Sequence, residues 1–215
     1  MASVRKAPPR IHVERAAFRQ VGHAQPPLWH DAGLGGVPVQ SSGRWHRRGE
    51  GYAQYLALSP AGAWAELVRY FALRTPEAVV EQRRSLWQAY VVLDDVADLS
   101  TFDDWTACGL DPEVAVADDH AECQKLAAWL QGERYRGVLA PSAALPGSVN
   151  LTVFGGRYEQ LAADDPSAVR GRDPDRWLRV ALAAEGAHPP KELVTRTRYR
   201  GQPHGGYEDW AAGTG

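Results

Sequence analysis

Apolar positions along the chain recur with two different periods. The short run Tyr55-Leu56-Ala57-Leu58 reads as a strand and breaks at Ser59-Pro60. That pair starts helices, because the serine hydroxyl caps free backbone N–H groups and proline tolerates the first helical position. A helix is therefore predicted from Pro60. Ala63, Trp64, Leu67, Val68 and Phe71 then fall at helical spacing and form a buried stripe, with Glu66, Gly62 and Tyr70 at its edge. A carboxylate in that position is either solvated surface or part of a site, and position alone favours the surface.

The same reading extends along the chain. Residues 1–16 are polar and contain proline, which predicts a loose arm, and Ala17-Phe18-Arg19-Gln20-Val21 predicts the first strand. Gly22 to Ser42 is a long loop rich in Gly, Pro and His, and its end delivers Arg44. Thr75-Pro76-Glu77 repeats the cap-then-proline signal and predicts a helix or turn through about Arg84. Leu86 to Leu93 is a strand closed by Asp94-Asp95. Thr101-Phe102-Asp103-Asp104 opens a short helix with a capping-box pattern. Asp118-Asp119 precedes a helix to about Leu130, with Cys123, Leu126, Ala127 and Leu130 on one face.

Gly137 to Ala140 predicts a buried strand ending at Pro141-Ser142, and Val149 to Phe154 predicts another after a turn. Ser142 at their junction is either part of a pocket wall or a turn hydroxyl bonded to its own backbone. Further on the signals weaken. Asp173-Pro174 opens either a helix through Ala184 or a strand over Trp177 to Ala183, and Glu192 to Tyr199 alternates like an edge strand. The tail over 201–215 is expected to be poorly ordered.

Composition narrows the class. A chain of 215 residues with 44% hydrophobic residues can bury one good core, so a single α/β domain over about 17–200 is expected, with an extension after about 155. The formal charge of −2 offers no general attraction to nucleic acid or anionic membrane, although Arg44, Arg47 and Arg48 make a local patch suited to a phosphorylated small molecule. Cys108 and Cys123 form no metal-ligand pair, so no metal is expected. The amino terminus is basic without the apolar block of a signal peptide, and no stretch is long enough to span a membrane, which predicts a cytoplasmic protein. Dinucleotide fingerprints, phosphate loops and serine-nucleophile elbows are absent.

Four fragments in order do carry a resemblance. Ser42-Gly43-Arg44-Trp45-His46, Tyr55-Leu56-Ala57, Ser59-Pro60-x-x-Ala63-x-x-Glu66, and Pro141-Ser142 followed by Asn150-Leu151-x-x-Phe154 resemble the RES domain, over about Phe18 to Phe154. Members of that family are toxins of bacterial Xre–RES toxin–antitoxin pairs. The resemblance implies an α/β (α+β) fold like that of ADP-ribosyltransferases, with mixed β-sheets and flanking helices around a cleft for NAD, which is a substrate. It implies cleavage of the nicotinamide–ribose bond by hydrolysis or phosphorolysis, or ADP-ribose transfer to a protein acceptor. It also implies an Xre-type antitoxin as partner, and leaves a homodimer open.

Residue by residue, Arg44, Tyr55, Glu66 and Ser142 occupy the family's Arg, Tyr, Glu and Ser positions, while Arg19 and Asn150 match less diagnostic ones. In that light Glu66 stabilises positive charge on the ribose, Arg44 holds phosphate oxygens, Tyr55 stacks on the nicotinamide, and Ser142 bonds the carboxamide or ribose. The segment between Trp45 and Tyr55 is about one residue longer than the family's, so Tyr52 is an alternative for the aromatic role. A module that binds the nucleotide without turning it over is the remaining alternative.

Overall fold

The computed structural model describes residues 4–23, 25, 40–50, 52–155 and 176–214. Its strands are β1 (Arg10–Gly22), β2 (Ala53–Ala57), β3 (Arg84–Asp98), β4 (Gly137–Pro141), β5 (Val149–Phe154) and β6 (Arg176–Ala187). Its helices are α1 (Pro60–Tyr70), α2 (Pro76–Val80), α3 (Phe102–Ala107), α4 (Ala121–Gly132), α5 (Leu193–Arg196) and α6 (Gly205–Gly213). This is a mixed α/β architecture. The strands form one mixed sheet in the order β1-β2-β5-β4-β3-β6, and β1 also pairs β3, so five strands close into a ring from which β6 projects.

One edge of β3 runs antiparallel to β1 along most of its length. The other edge serves β6 first and then β4, which it meets in parallel from Val96 to Asp98. The change of partner falls at Asp94-Asp95. Asp95 sits at φ 56, and its carbonyl accepts from Arg136 N at 3.0 Å just before β4 begins. The acidic pair is therefore a bulge inside a 15-residue strand, where the sequence predicted an end.

The closure between β1 and β2 is slight. They share a single registered pair, Phe18 opposite Ala57, after which the strands splay. The resulting gap is covered by α1, and it is where the cavity described below opens. α1 begins as predicted. Ser59 caps it by accepting from Gly62 N at 3.0 Å, with Pro60 in the first turn. Its face Ala63, Trp64, Leu67 and Val68 is buried with Leu193 and Tyr199. A Cβ on Gly62 would lie 2.8 Å from Ser148 Oγ and 3.1 Å from the Ala57 methyl, so the glycine sets how closely the helix approaches the sheet.

The capping box at Thr101 and Asp104 is formed, α2 starts at Pro76, and α4 buries Cys123, Leu126, Ala127 and Leu130 as predicted. Other expectations are corrected. Residues 10–16, read as a loose arm, belong to β1, which buries Val13 and Ala17 while Arg10, Glu14 and Arg15 face out. Glu192 to Tyr199, read as an edge strand, holds α5, whose Leu193 is buried with Tyr199 in a core a strand would not fill. The tail read as poorly ordered holds α6, packed through Phe102, Tyr207 and Trp210 and tied by Trp210 Nε1 to Asp103 at 2.8 Å. Of the two alternatives near Trp177, the strand forms. The helix start at Asp173-Pro174 and most of the loop after Gly22 lie outside the described residues.

Candidate active site

A cavity of about 560 Å³ opens where β1 and β2 part, roofed by α1 and walled by β5 and the end of β4. Its volume falls within the range of small-molecule sites, roughly 300–1,000 Å³. Glu66 reaches it from the exposed side of α1. Glu66 Oε1 accepts from Ser142 Oγ at 2.9 Å and from Asn150 Nδ2 at 2.7 Å. Both bonds fall on one oxygen, so Oε2 has no hydrogen-bond partner among the described residues.

Ser142 and Asn150 reach the same carboxylate because β4 and β5 pair with Ala140 opposite Asn150. Ser142 is fully buried, at 0% exposure, and its hydroxyl oxygen also accepts from Ala144 N and Leu145 N at 3.2 Å each. It is absent from the cavity lining. Ser142 is thus both a turn hydroxyl and a group that orients Glu66. Asn150 does line the cavity, and its buried Oδ1 has no hydrogen-bond partner among the described residues.

Arg44 lines the opposite wall. Its Nη2 donates to Ala117 O at 2.7 Å and its Nη1 to Val114 O at 3.4 Å, which fixes the guanidinium by backbone carbonyls, with no carboxylate paired to it among the described residues. Arg19 reaches the cavity from β1 and donates to Gln54 Oε1 at 3.1 Å; burial lowers its pKa to about 10, which still leaves a cation at neutral pH.

Tyr55 lines the cavity with its ring, while its hydroxyl is spent elsewhere. The oxygen accepts from Trp45 N at 2.9 Å and lies 2.9 Å from His46 Nδ1, bracing the turn that carries Arg44. Burial raises its pKa, so it stays protonated. A Cβ on Gly43 would lie 2.5 Å from that hydroxyl, so the glycine is required for the tyrosine to reach the turn. The Tyr55 hydroxyl is thus bonded to the turn that carries Arg44. Tyr52, the alternative, is buried away from the cavity.

Several lining residues escaped the sequence reading. Arg69 follows Glu66 by three positions on α1, a spacing that sets the two side chains side by side. His120 and Arg200 come from the start of α4 and the segment after α5, and no local signal ties either to Glu66. Tyr70 and Phe71, at the end of α1, line the cavity while 71% and 48% exposed. Among the described residues no group of three His, Cys, Asp or Glu side chains is arranged to hold a metal, and no helix is long and apolar enough to cross a membrane.

Fold and site together define a mixed α/β protein whose cleft sets one oriented carboxylate among arginines. The chain belongs to the RES domain family, which matches residues 10–180. It is 35% identical over 180 residues to a probable NAD(+) phosphorylase of Mycobacterium tuberculosis, covering 81% of this chain and 84% of that one. Its fold is similar to that in the crystal structure of the M. tuberculosis MbcT-MbcA toxin-antitoxin complex, with a TM-score of 0.56 and 23% identity over 86% of this chain and 90% of that one.

Proposed function

We propose that this protein is an NAD-consuming toxin that transfers the ADP-ribosyl group of NAD to inorganic phosphate and releases nicotinamide. The observation that carries the reading is the Glu66 carboxylate, oriented by Ser142 and Asn150 with one oxygen unbonded among the described residues, in a cavity whose other formally charged lining residues are arginines. Breaking the nicotinamide–ribose bond builds oxocarbenium-like charge on the sugar, and a fixed carboxylate stabilises it without reorganising. Glu66 takes that role, with its free oxygen toward the ribose. Arg19 and Arg44 supply donors for the pyrophosphate. Tyr55 offers a ring face, and Asn150 Oδ1 an acceptor for a ligand N–H or O–H.

Phosphate is favoured over water as acceptor by the relative, itself a probable phosphorylase, and by the excess of positive charge in the cavity. The test incubates the purified protein with NAD, with and without inorganic phosphate. The expected products are nicotinamide and ADP-ribose 1″-phosphate. Free ADP-ribose alone points to hydrolysis, label transfer to a protein points to ADP-ribosylation, and no nicotinamide with any acceptor overturns the reading.

The likeness to a toxin bound to its antitoxin supports an antitoxin partner here, and the family resemblance favours one of the Xre type. Co-expression of a neighbouring small helix-turn-helix protein is expected to relieve growth arrest caused by this chain, and arrest that persists with that protein stably bound counts against it.

A further inference from the structure

The cavity carries more positive charge than one dinucleotide uses. Arg19, Arg44, Arg69, Arg84 and Arg200 line it against the single carboxylate of Glu66, a formal surplus of four among the described lining residues. The pyrophosphate of NAD carries two negative charges, so the surplus has room for a second anion. These cations are not equally placed. Arg84 is bonded to Gln20 at 3.0 Å, and its guanidinium lies 5.7 Å from the Phe71 ring, toward the exposed end of α1. Arg69, Arg200 and His120 form a second group, bordered by Arg44, whose charge bears on the imidazole together with those of Arg200 and Arg69.

Within that group two side chains are uncommitted. Arg200 makes no hydrogen bond or ion pair with any described residue, and the His120 imidazole makes no hydrogen bond to one, although both line the cavity. Arg69 is held in place from behind. Its Nη1 donates to Arg198 O at 3.0 Å and its Nη2 to Asp118 Oδ1 at 2.5 Å. Asp118 also accepts from Arg198 Nη1 at 2.9 Å and from Gly201 N at 2.6 Å, which fixes the backbone on both sides of Arg200. At the start of α4 the His120 side chain makes no cap bond, and Asp119 Oδ1 accepts from Ala121 N at 3.0 Å.

We propose that Arg69, Arg200 and His120 seat the inorganic phosphate that attacks the ribose, making the segment around Arg198–Gly201 the part of the chain that selects the acceptor. The assignment rests on the phosphorolytic reading given above. In the reaction, an oxygen of monohydrogen phosphate forms a bond to the ribose C1 as the C1–N bond to the pyridinium breaks. The bonding pair leaves with nicotinamide as a neutral molecule, and the phosphate proton is released to solvent from the monoester formed. No oxidant or metal enters the balance. Arg69 lies one turn along α1 from Glu66, which places the nucleophile beside the carboxylate that stabilises the sugar cation. Of the three side chains, Arg69 and His120 lie within the residues the family matches, and Arg200 lies beyond residue 180, where that match ends.

His120 provides a direct readout. Burial, together with Arg44, Arg200 and Arg69 around it, lowers its pKa to about 4, against a raising influence from Asp119. An oxyanion seated among those guanidinium groups reverses part of that field. Titration of the His120 ring by NMR, with inorganic phosphate at constant ionic strength and chloride as control, is expected to show its midpoint rising by about one unit. The rise is expected to be lost in Arg200→Ala. Kinetically, Arg200→Ala is expected to raise the KM for phosphate about tenfold and that for NAD by less than twofold, with Arg200→Lys partly restoring it.

A His120 midpoint indifferent to phosphate overturns the proposal. So does an equal rise in both KM values, which would assign Arg200 to the dinucleotide. Failure of the parent reading looks different: no nicotinamide appears with phosphate at all, and the NMR titration of the resting protein still decides whether an anion binds here.

Discussion

The weight of the site falls on a few hydrogen bonds to one carboxylate. Glu66→Gln preserves size and removes the charge, so it is expected to leave the unfolding midpoint nearly unchanged and to lower kcat about a hundredfold, roughly 3 kcal/mol at the transition state. Nicotinamide release under saturating NAD measures it, and a variant within threefold of the parent removes Glu66 from the chemistry. Ser142→Ala acts differently. It frees Glu66 to turn and orphans the amides of Ala144 and Leu145, buried groups whose lost partners cost about 1–3 kcal/mol. The expected result is a loss of about 2 kcal/mol in urea unfolding and about tenfold in kcat, with KM for NAD changed less than twofold; a rise in KM alone would mean that Ser142 meets the substrate. The positions of Ser142 and Glu66 were legible as family residues, but their relation was not. That relation depends on the β4–β5 register, a long-range pairing that neither residue's neighbours encode. The bracing role of Tyr55 was not legible for a related reason: a phenol can stack, donate or brace a turn, and the closeness of Gly43 appears only in the fold.

At the scale of elements, α1 is the part the sequence announced most clearly and the part that delivers Glu66, Arg69 and Tyr70 to one cavity. Local rules sufficed because its start is fixed by its own cap and its stripe by its own period. Ser59→Ala is expected to lower stability by about 1 kcal/mol, the usual worth of an N-cap. Because the frayed turn holds Gly62 against Ser148, nicotinamide release should fall with it; unchanged stability in thermal unfolding would show that the cap is dispensable. The turn carrying Arg44 is equally exacting. Gly43→Ala would bring a methyl within 2.5 Å of the Tyr55 hydroxyl, so the turn must shift and carry Arg44 with it. A rise in KM for NAD of about tenfold is expected, about 1.4 kcal/mol. An unaltered KM would show that the turn absorbs the methyl without moving the guanidinium. β1 and β3 were harder to read. Their lengths come from pairing each other, and the bulge at Asp95 presents residues typical of turns in the middle of a strand.

Across the whole molecule, Asp118 ties the C-terminal segment to the helix that bears Glu66. Burial on its own raises the Asp118 carboxyl, but the Gly201 amide, the Arg69 bond and the Arg198 charge outweigh that and hold it below the usual carboxylate value. A group whose folded pKa is depressed contributes stability that is fully present above its unfolded value and disappears as pH falls through the folded one. The tie is therefore intact at neutral pH and is lost under acid, below the ordinary carboxylate value of 3.8. Its loss need not unfold the ring of strands, whose core is separate from these contacts. Hydrogen exchange followed from about pH 5 down to about pH 3, corrected for intrinsic rates, is expected to show amides around Arg198 to Gly201 losing protection while Leu151 and Val153 in β5 keep theirs. Asp118→Asn should loosen the same amides already at neutral pH and flatten the acid response. Uniform loss of protection across the molecule, or an acid response that survives in Asp118→Asn, would place the joint elsewhere and leave the sheet and the C-terminal segment as one cooperative unit.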